Sequence, residues 1–296
     1  MVQFGVSTHL FANRPLSAKH LELFREFGFE TVELWAMGPH LDYLNETYMR
    51  HLAGVVEGLG LRVVSFHGPF YMRFDDENYM SLSLGDSNRI WRTRLLDHLK
   101  KLMDSMALFG AEVLVVHGLG EEEAAEDPEQ AKRVFRESLA ELGVVATERN
   151  VRIAVENIFT RFSRTISLRK HVEHLKAASL GICLDLGHAN LSENPEKAVE
   201  NCGRRLYHVH YSDNHGSQDE HLVPYEGTSD WRGVCRALAK CRNLRHAILE
   251  LMFERQDEQF HIAHIRALLS RASVGVRAVQ SELARAEAEL AAKGPA

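Results

Sequence analysis

Residues 112–157 read EVLVVHGLGEEEAAEDPEQAKRVFRESLAELGVVATERNVRIAVEN. The apolar, β-branched run Glu112–His117 has the length and composition of a strand. Pro128 then stands at the first turn of a segment whose apolar residues recur at helical spacing as far as Arg149. Asn150 stops that helix, and Val151–Glu156 is a second β-rich run. The unit is strand, helix, strand. VLVV at 113–116 shows no polar alternation, as expected of a parallel strand covered on both faces. Each strand closes on a polar side chain, His117 in one and Glu156 in the other.

The same unit repeats in both directions. Strand-like runs are expected at Val2–Thr8, Thr31–Trp35, Leu61–Phe66, Leu180–Asp185, Arg205–His210 and Ala247–Leu251, besides the two above. Helical segments fall between them: Ser17–Phe27, Glu46–Leu59, Asn88–Phe109, Ser167–Ala178, Pro195–Cys202, Trp231–Lys240 and a long one from about Gln259. Ser17 and Ser167 suit N-cap positions, and Gly28, Gly60 and Gly110 stand where helices must stop. Eight strand–helix units in about 260 residues is the arithmetic of an α/β fold, the (β/α)8 TIM barrel. A doubly wound open sheet would carry a glycine-rich phosphate turn after its first strand, and THLFANRP at 8–15 has none. The expectation is a single barrel domain over residues 1–270 with a C-terminal helical extension over 271–296. The Ala/Glu-rich stretch SELARAEAELAAK in that extension reads as a continuation of the last helix over the barrel, with a homo-oligomer contact as the alternative.

Composition narrows the function classes. The chain has 296 residues, 45% of them apolar, and 35 Lys+Arg against 41 Asp+Glu give a net charge of −6. That length buries a sizeable core unaided, and these fractions exclude disorder as the main state. Cys183, Cys202, Cys235 and Cys241 make no CxxC pair and are too sparse for a disulfide scaffold, so a reducing, cytoplasmic setting is expected. The opening MVQFGVSTHLF has neither a basic region nor a long apolar run, so no signal peptide is expected. No stretch approaches the ~18 apolar residues of a membrane span. The acidic balance gives no general attraction to nucleic acid or anionic lipid. The count that stands out is 17 histidines.

Barrel enzymes build their sites at the C-terminal ends of the strands. Here the third strand ends in His67, the fourth in His117, the fifth in Glu156, and the sixth in Asp185 with His188 three residues on. The seventh ends in His210 and the eighth in Glu250, while Asp219 and His221 lie in the loop after the seventh. One histidine at a strand end is ordinarily a hydrogen-bonded or surface residue. Six consecutive strands ending in His, Asp or Glu is a different observation, because those side chains converge at the barrel mouth. Converging buried carboxylates cost on the order of several kcal/mol unless a cation offsets them. A bound divalent metal is therefore expected, and a mixed imidazole–carboxylate set suits Zn²⁺, Mn²⁺ or Fe²⁺. His98, His171 and His174 fall on predicted helices and are expected to be solvated. His208 shares a face with His210 one layer deeper, as a partner behind it. Two residues stay open: His9 as a pocket lining, and Glu33 as either a mouth residue or a paired core charge.

The motifs HGP (67–69), VVHGLG (115–120), VEN (155–157), LDLGH (184–188), HxxD (His210–Asp213) and DEHLVPYEGTSDW (219–231) together resemble the xylose-isomerase-like barrels. That family includes sugar-phosphate isomerases/epimerases and endonuclease IV, and the resemblance runs to about Leu269. It implies one divalent metal, Zn²⁺ or Mn²⁺, held by Glu156, Asp185, His210 and Glu250. In the epimerase branch the two glutamates also form the acid/base pair and His188 contacts substrate. In endonuclease IV three metals sit on nine ligands, and all nine have a chemical match here: His67, His117, Glu156, Asp185, His188, His210, Asp219, His221 and Glu250. The implied metal count is one to three. Glu156 would bridge to a second ion completed by His67 and His117, and Asp219 and His221 would serve a third.

The function this implies is a divalent-metal-dependent sugar or sugar-phosphate isomerase/epimerase, with Glu156 and Glu250 moving a proton beside a carbonyl. The alternative is an endonuclease IV-like multinuclear phosphodiesterase acting at abasic sites in DNA. The opening FGVSTHLF is closer to the sugar-isomerase branch, and the acidic stretch Asp75–Glu77 is a poor face for a phosphodiester backbone. Arg161, with Arg164 and Arg14, suits a single substrate phosphate but is a thin footprint for duplex DNA. A metal-stabilised sugar-binding protein has no need of two opposed carboxylates. One departure from the family pattern is Tyr225, where a glycine is usual; tyrosine tolerates positive φ poorly.

Overall fold

The computed structural model describes residues 2–73, 79–122, 124–252 and 262–293. The chain begins with β1 (Gln3–Ser7), β2 (Thr31–Trp35) and β3 (Arg62–His67), followed by a small antiparallel hairpin of β4 (Tyr71–Arg73) and β5 (Tyr79–Ser81). β6 (Val113–His117), β7 (Arg152–Glu156), β8 (Leu180–Asp185), β9 (Leu206–His210) and β10 (His246–Leu249) complete the set. All but the hairpin close into one parallel barrel in the order β1-β10-β9-β8-β7-β6-β3-β2. The expected (β/α)8 barrel is the observed one, and β2 and β8 have the expected bounds.

Helices α1 (Ala18–Glu26), α2 (Glu46–Gly58), α3 (Arg89–Met106), α4 (Pro128–Glu148), α5 (Thr165–Leu175), α6 (Leu186–Ser192), α7 (Pro195–Cys202), α8 (Trp231–Leu238) and α9 (Ile262–Ala292) follow in chain order. Local chemistry sets most of their ends. Ser17 precedes α1, its N–H donating to His20 Nδ1 (3.2 Å), and Pro128 and Pro195 open α4 and α7. Gly28, Gly60, Gly110 and Asn150 all take the left-handed conformation expected at helix stops. Ser167 is a correction. It lies inside α5, because Glu193 reaches across from the loop after α6 and accepts from Thr165 N (2.9 Å) and Thr165 Oγ1 (2.8 Å). A cap supplied 28 residues away leaves no local signature.

α9 buries Ile265, Leu269, Ala272, Val276, Val279, Leu283 and Ala286, a stripe at alternating three- and four-residue steps. It packs on α8 and runs unbroken through 270–271. In the barrel lumen, Val113, Val115, Ala154 and Cys183 form a small apolar floor beneath the polar mouth. All four cysteines are free. Among the described residues, no helix is long and apolar enough to cross a membrane. The acidic stretch Asp75–Glu77 lies outside the described residues.

Candidate active site

The parallel register brings the strand-end residues together at one end of the barrel. His117 pairs with Glu156 across β6 and β7, and Asp185 with His210 across β8 and β9. Glu250 directly follows β10. Asn157 ties β7 to β8: its Nδ2 donates to the Asp185 carbonyl (2.9 Å) and its Oδ1 accepts from Asp185 N (2.7 Å). Asp185 then caps the short helix α6, its Oδ1 accepting from His188 N (2.6 Å). The spacing of the LDLGH motif is thereby explained. One carboxylate oxygen starts the helix that presents His188, and Oδ2 is left buried without a hydrogen-bond partner.

Asp213 folds the loop that carries Asp219 and His221. It accepts from Tyr225 N (3.0 Å), Ser229 N (3.2 Å) and Trp231 Nε1 (2.8 Å). A Cβ on Gly227 would lie 2.4 Å from the Asn214 carbonyl oxygen, so only glycine fits there. Tyr225 does take a positive φ of 75°, and its bond to Asp213 and its ring beside Trp231 hold it there.

Ring orientation shows what the cluster fits. His67 Nδ1 lies 3.0 Å from the Gly68 carbonyl, His188 Nδ1 2.8 Å from that of Asn157, and His221 Nδ1 3.3 Å from that of Glu250. A carbonyl only accepts, so each Nδ1 donates, and a neutral ring then has a bare lone pair at Nε2. Those lone pairs face carboxylate oxygens. His67 Nε2 is 3.0 Å from Glu156 Oε2, and His188 and His221 Nε2 are 3.2 and 3.1 Å from Asp219 Oδ2. His210 has the opposite orientation: Nε2 faces Glu33, and Nδ1 lies 2.9 Å from Glu156 Oε1 and 3.7 Å from Glu250 Oε2. A buried lone pair against a carboxylate oxygen is repulsive unless a proton or a metal cation joins them. Asp185 Oδ2, Asp219 Oδ1 and Glu250 Oε1 are also buried and unpartnered. Glu156, Asp185, His210 and Glu250 each offer a donor atom within 4.8 Å of the others, as do His67, His117 and Glu156, and also His9, His221 and Glu250. The donor set fits a divalent cation.

Without a cation the cluster holds protons instead. Burial opposes charge on His188, but Asp185, Asp219 and Glu156 outweigh it and raise the imidazole to about 10. His221 is raised to about 9 by Asp219 in the same way. Glu156 is held well below the usual range, against its burial, by His210 and His67, whereas burial pushes Asp185 and Glu250 up. His117 has one carboxylate at 3.5 Å, and burial drives it down to about 3. A histidine raised in the folded state contributes stability that is complete below 6.5, its unfolded value, and lost as pH climbs through the raised value. The melting temperature of chelator-treated protein should therefore fall by roughly several degrees between pH 6.5 and 9–10. Metal reloading should remove that slope, since the cation replaces the protons. A flat profile for the chelated protein in a thermal-shift series would contradict this exchange.

Other expected residues sort as follows. His9 joins the mouth, its ring 5.0 Å from that of His221 and 5.1 Å from that of Trp35. Glu33 is a paired core charge in the lumen, and His208 sits behind His210 with Glu33 between them. Arg161 is at the rim, with a 69% exposed side chain 3.4 Å from Glu121 Oε2 and a guanidinium over Phe162. Among the described residues it makes no hydrogen bond or ion pair to the cluster. His174 is exposed as expected, but His171 is a correction. It is buried edge-on against Phe135, on the inward stripe of α5 with Leu168 and Val172. Sequence reasoning missed the aromatic walls: Phe70 stacked on His117 (3.9 Å), Trp35 beside His9, and Phe159 by His188 (5.4 Å). Their position at or just after strand ends is the signal that could have found them.

Comparison with known proteins agrees with this geometry. The chain is 28% identical over 252 residues to the uncharacterised protein MJ1311 of Methanocaldococcus jannaschii, spanning 80% of this chain and 79% of that one. It is 27% identical over 243 residues to the uncharacterised protein y4fM of Sinorhizobium fredii, spanning 74% and 76%. Among solved structures, a D-tagatose 3-epimerase-like protein superposes with a TM-score of 0.76 at 22% identity, covering 98% of this chain and all of that one. D-psicose 3-epimerase from Clostridium cellulolyticum H10 superposes at 0.76 with 16% identity, covering 95% and 99%. At these identities the structures establish the shared fold. The family model for the xylose isomerase-like TIM barrel matches residues 21–268, which hold every strand-end residue described above, and the chain belongs to that family.

Proposed function

We propose that the protein is a divalent-metal-dependent isomerase or epimerase of a free or phosphorylated sugar. The observation that carries this reading is the pair Glu156 and Glu250. They reach His210 Nδ1 from strands three places apart in the ring, with Asp185 between them in the same group. Isomerising a sugar requires removing a weakly acidic proton from a carbon beside a carbonyl. A divalent cation in this group supplies a Lewis acid for the carbonyl oxygen. Glu156, at the end of β7, takes a proton from one side. Glu250, whose Oε1 has no partner, holds and returns one from the other. His188 holds a substrate hydroxyl, Phe70 and Trp35 wall the pocket, and Phe159 stands at its exposed edge. Arg161 at the rim meets a phosphate where the substrate carries one. The resemblance in fold to D-psicose 3-epimerase, L-ribulose 3-epimerase and a D-tagatose 3-epimerase-like protein favours a ketose substrate. Zn²⁺ or Mn²⁺ is the expected metal, one to three per chain, in a reducing cytoplasmic setting that suits four free thiols. The working organisation is a barrel over 1–270 and an extension over 271–296 available for self-association.

A second reading keeps a specific support. His67 and His117 both face Glu156, and His188 and His221 both face Asp219, which supports the nine-ligand reading of a multinuclear phosphodiesterase. Metal-loaded protein offered a panel of ketoses and ketose phosphates, and in parallel a duplex with one abasic site, separates the two. Epimerised sugar with intact duplex supports the first reading. Robust incision with no sugar turned over replaces it with the second.

A further inference from the structure

Glu33 is an ionisable residue buried in the barrel lumen, fully shielded from solvent one layer below the mouth. It stands on β2 in register with Ser7 on β1 and Ser65 on β3. Ser65 Oγ donates to its Oε2 (2.7 Å). His208 Nε2 lies 3.2 Å from the same oxygen. His210 Nε2 hydrogen-bonds Oε2 at 3.3 Å and lies 3.2 Å from Oε1. Its contacts are with Ser65, His208 and His210, so what it does there is read from them.

Comparison among the rings supplies one. His67, His188 and His221 each anchor their rear nitrogen on a neutral backbone carbonyl. His210 anchors its rear nitrogen on a full negative charge. We propose that Glu33 is a positioning residue for the metal centre. By accepting the Nε2 proton of His210 it fixes the ring's tautomer and rotation, so that the Nδ1 lone pair points between Glu156 and Glu250 and gains basicity. Ser65 holds Glu33 in turn, with His208 Nε2 3.2 Å from the same oxygen. This rests on the reading of His210 as a metal ligand, and the test keeps the two apart.

Glu33→Gln preserves volume and removes the charge. Zinc affinity, measured by competition with a chromogenic chelator, should weaken ~10–100-fold. In the zinc-loaded protein the His210 Nε2–H proton resonance should move upfield, since a neutral amide accepts more weakly than a carboxylate. A purely structural role for Glu33 would leave that resonance in place once zinc is bound. If Glu33→Gln does not fold, Ser65→Ala decides. Loss of the hydroxyl that steadies the carboxylate should weaken zinc binding roughly fivefold in the same direction. Wild-type zinc affinity and an unmoved resonance in Glu33→Gln, or unchanged affinity in Ser65→Ala where only that variant folds, would overturn the assignment while leaving the metal reading intact. A wild-type protein that binds no zinc would end both.

Discussion

Glu156→Gln is expected to remove metal and activity together. Both oxygens of Glu156 are committed: Oε1 lies 2.9 Å from His210 Nδ1, and Oε2 lies 3.0 Å from His67 Nε2 and 3.5 Å from His117 Nε2. The glutamine keeps one acceptor and turns the other into a donor aimed at imidazole nitrogens that must offer lone pairs to a cation. It also deletes the charge that pulls His67 upward. Elemental analysis of protein purified without added metal should find at least one divalent ion per wild-type chain. The variant should hold substoichiometric metal and turn over at least about 10³-fold more slowly. Circular dichroism should show the barrel intact, because Glu156 lies at the mouth and not in the apolar floor. Wild-type protein with no metal, matched by an equally metal-free variant of undiminished activity, would remove the proposed chemistry altogether.

The second large effect belongs to Glu250→Gln. Glu250 is 4% exposed, its Oε1 has no partner, and its Oε2 stands 3.7 Å from His210 Nδ1. It is therefore less tightly engaged than Glu156, and metal should survive its replacement more often. With metal loading verified, kcat should fall ~10²–10⁴-fold while substrate affinity changes little, the signature of losing a proton-transfer group. A kcat close to wild type in metal-loaded Glu250→Gln would show that the carboxylate is a bystander. Stopped-flow and equilibrium binding on the same preparation separate the two parameters.

Much of this was readable in the chain because strand-end chemistry is local. VLVVH and RIAVE announce both a buried parallel strand and the polar residue that ends it. What was not readable depends on contacts distant in sequence. Nothing near Thr165 reveals that Glu193 will cap α5. β4 and β5 are three residues each, too short to show a period. α6 is about two turns capped by a strand-end aspartate, so it reads as loop. Glu33 stayed ambiguous because alternation says which face a side chain takes, not what fills the lumen opposite it. Only closure of the ring brings β2 and β9 near enough for Glu33 to meet His208 and His210 across it.

The central claim is that this barrel mouth moves a proton on a sugar carbon. Metal-loaded protein incubated in D₂O with the ketose it turns over tests that claim directly, read by NMR of the recovered sugar. Deuterium should enter at the carbon being inverted, in step with epimerisation, and should be absent after Glu250→Gln. Epimerisation with no deuterium gained, or no sugar turnover beside efficient incision of an abasic duplex, would contradict it.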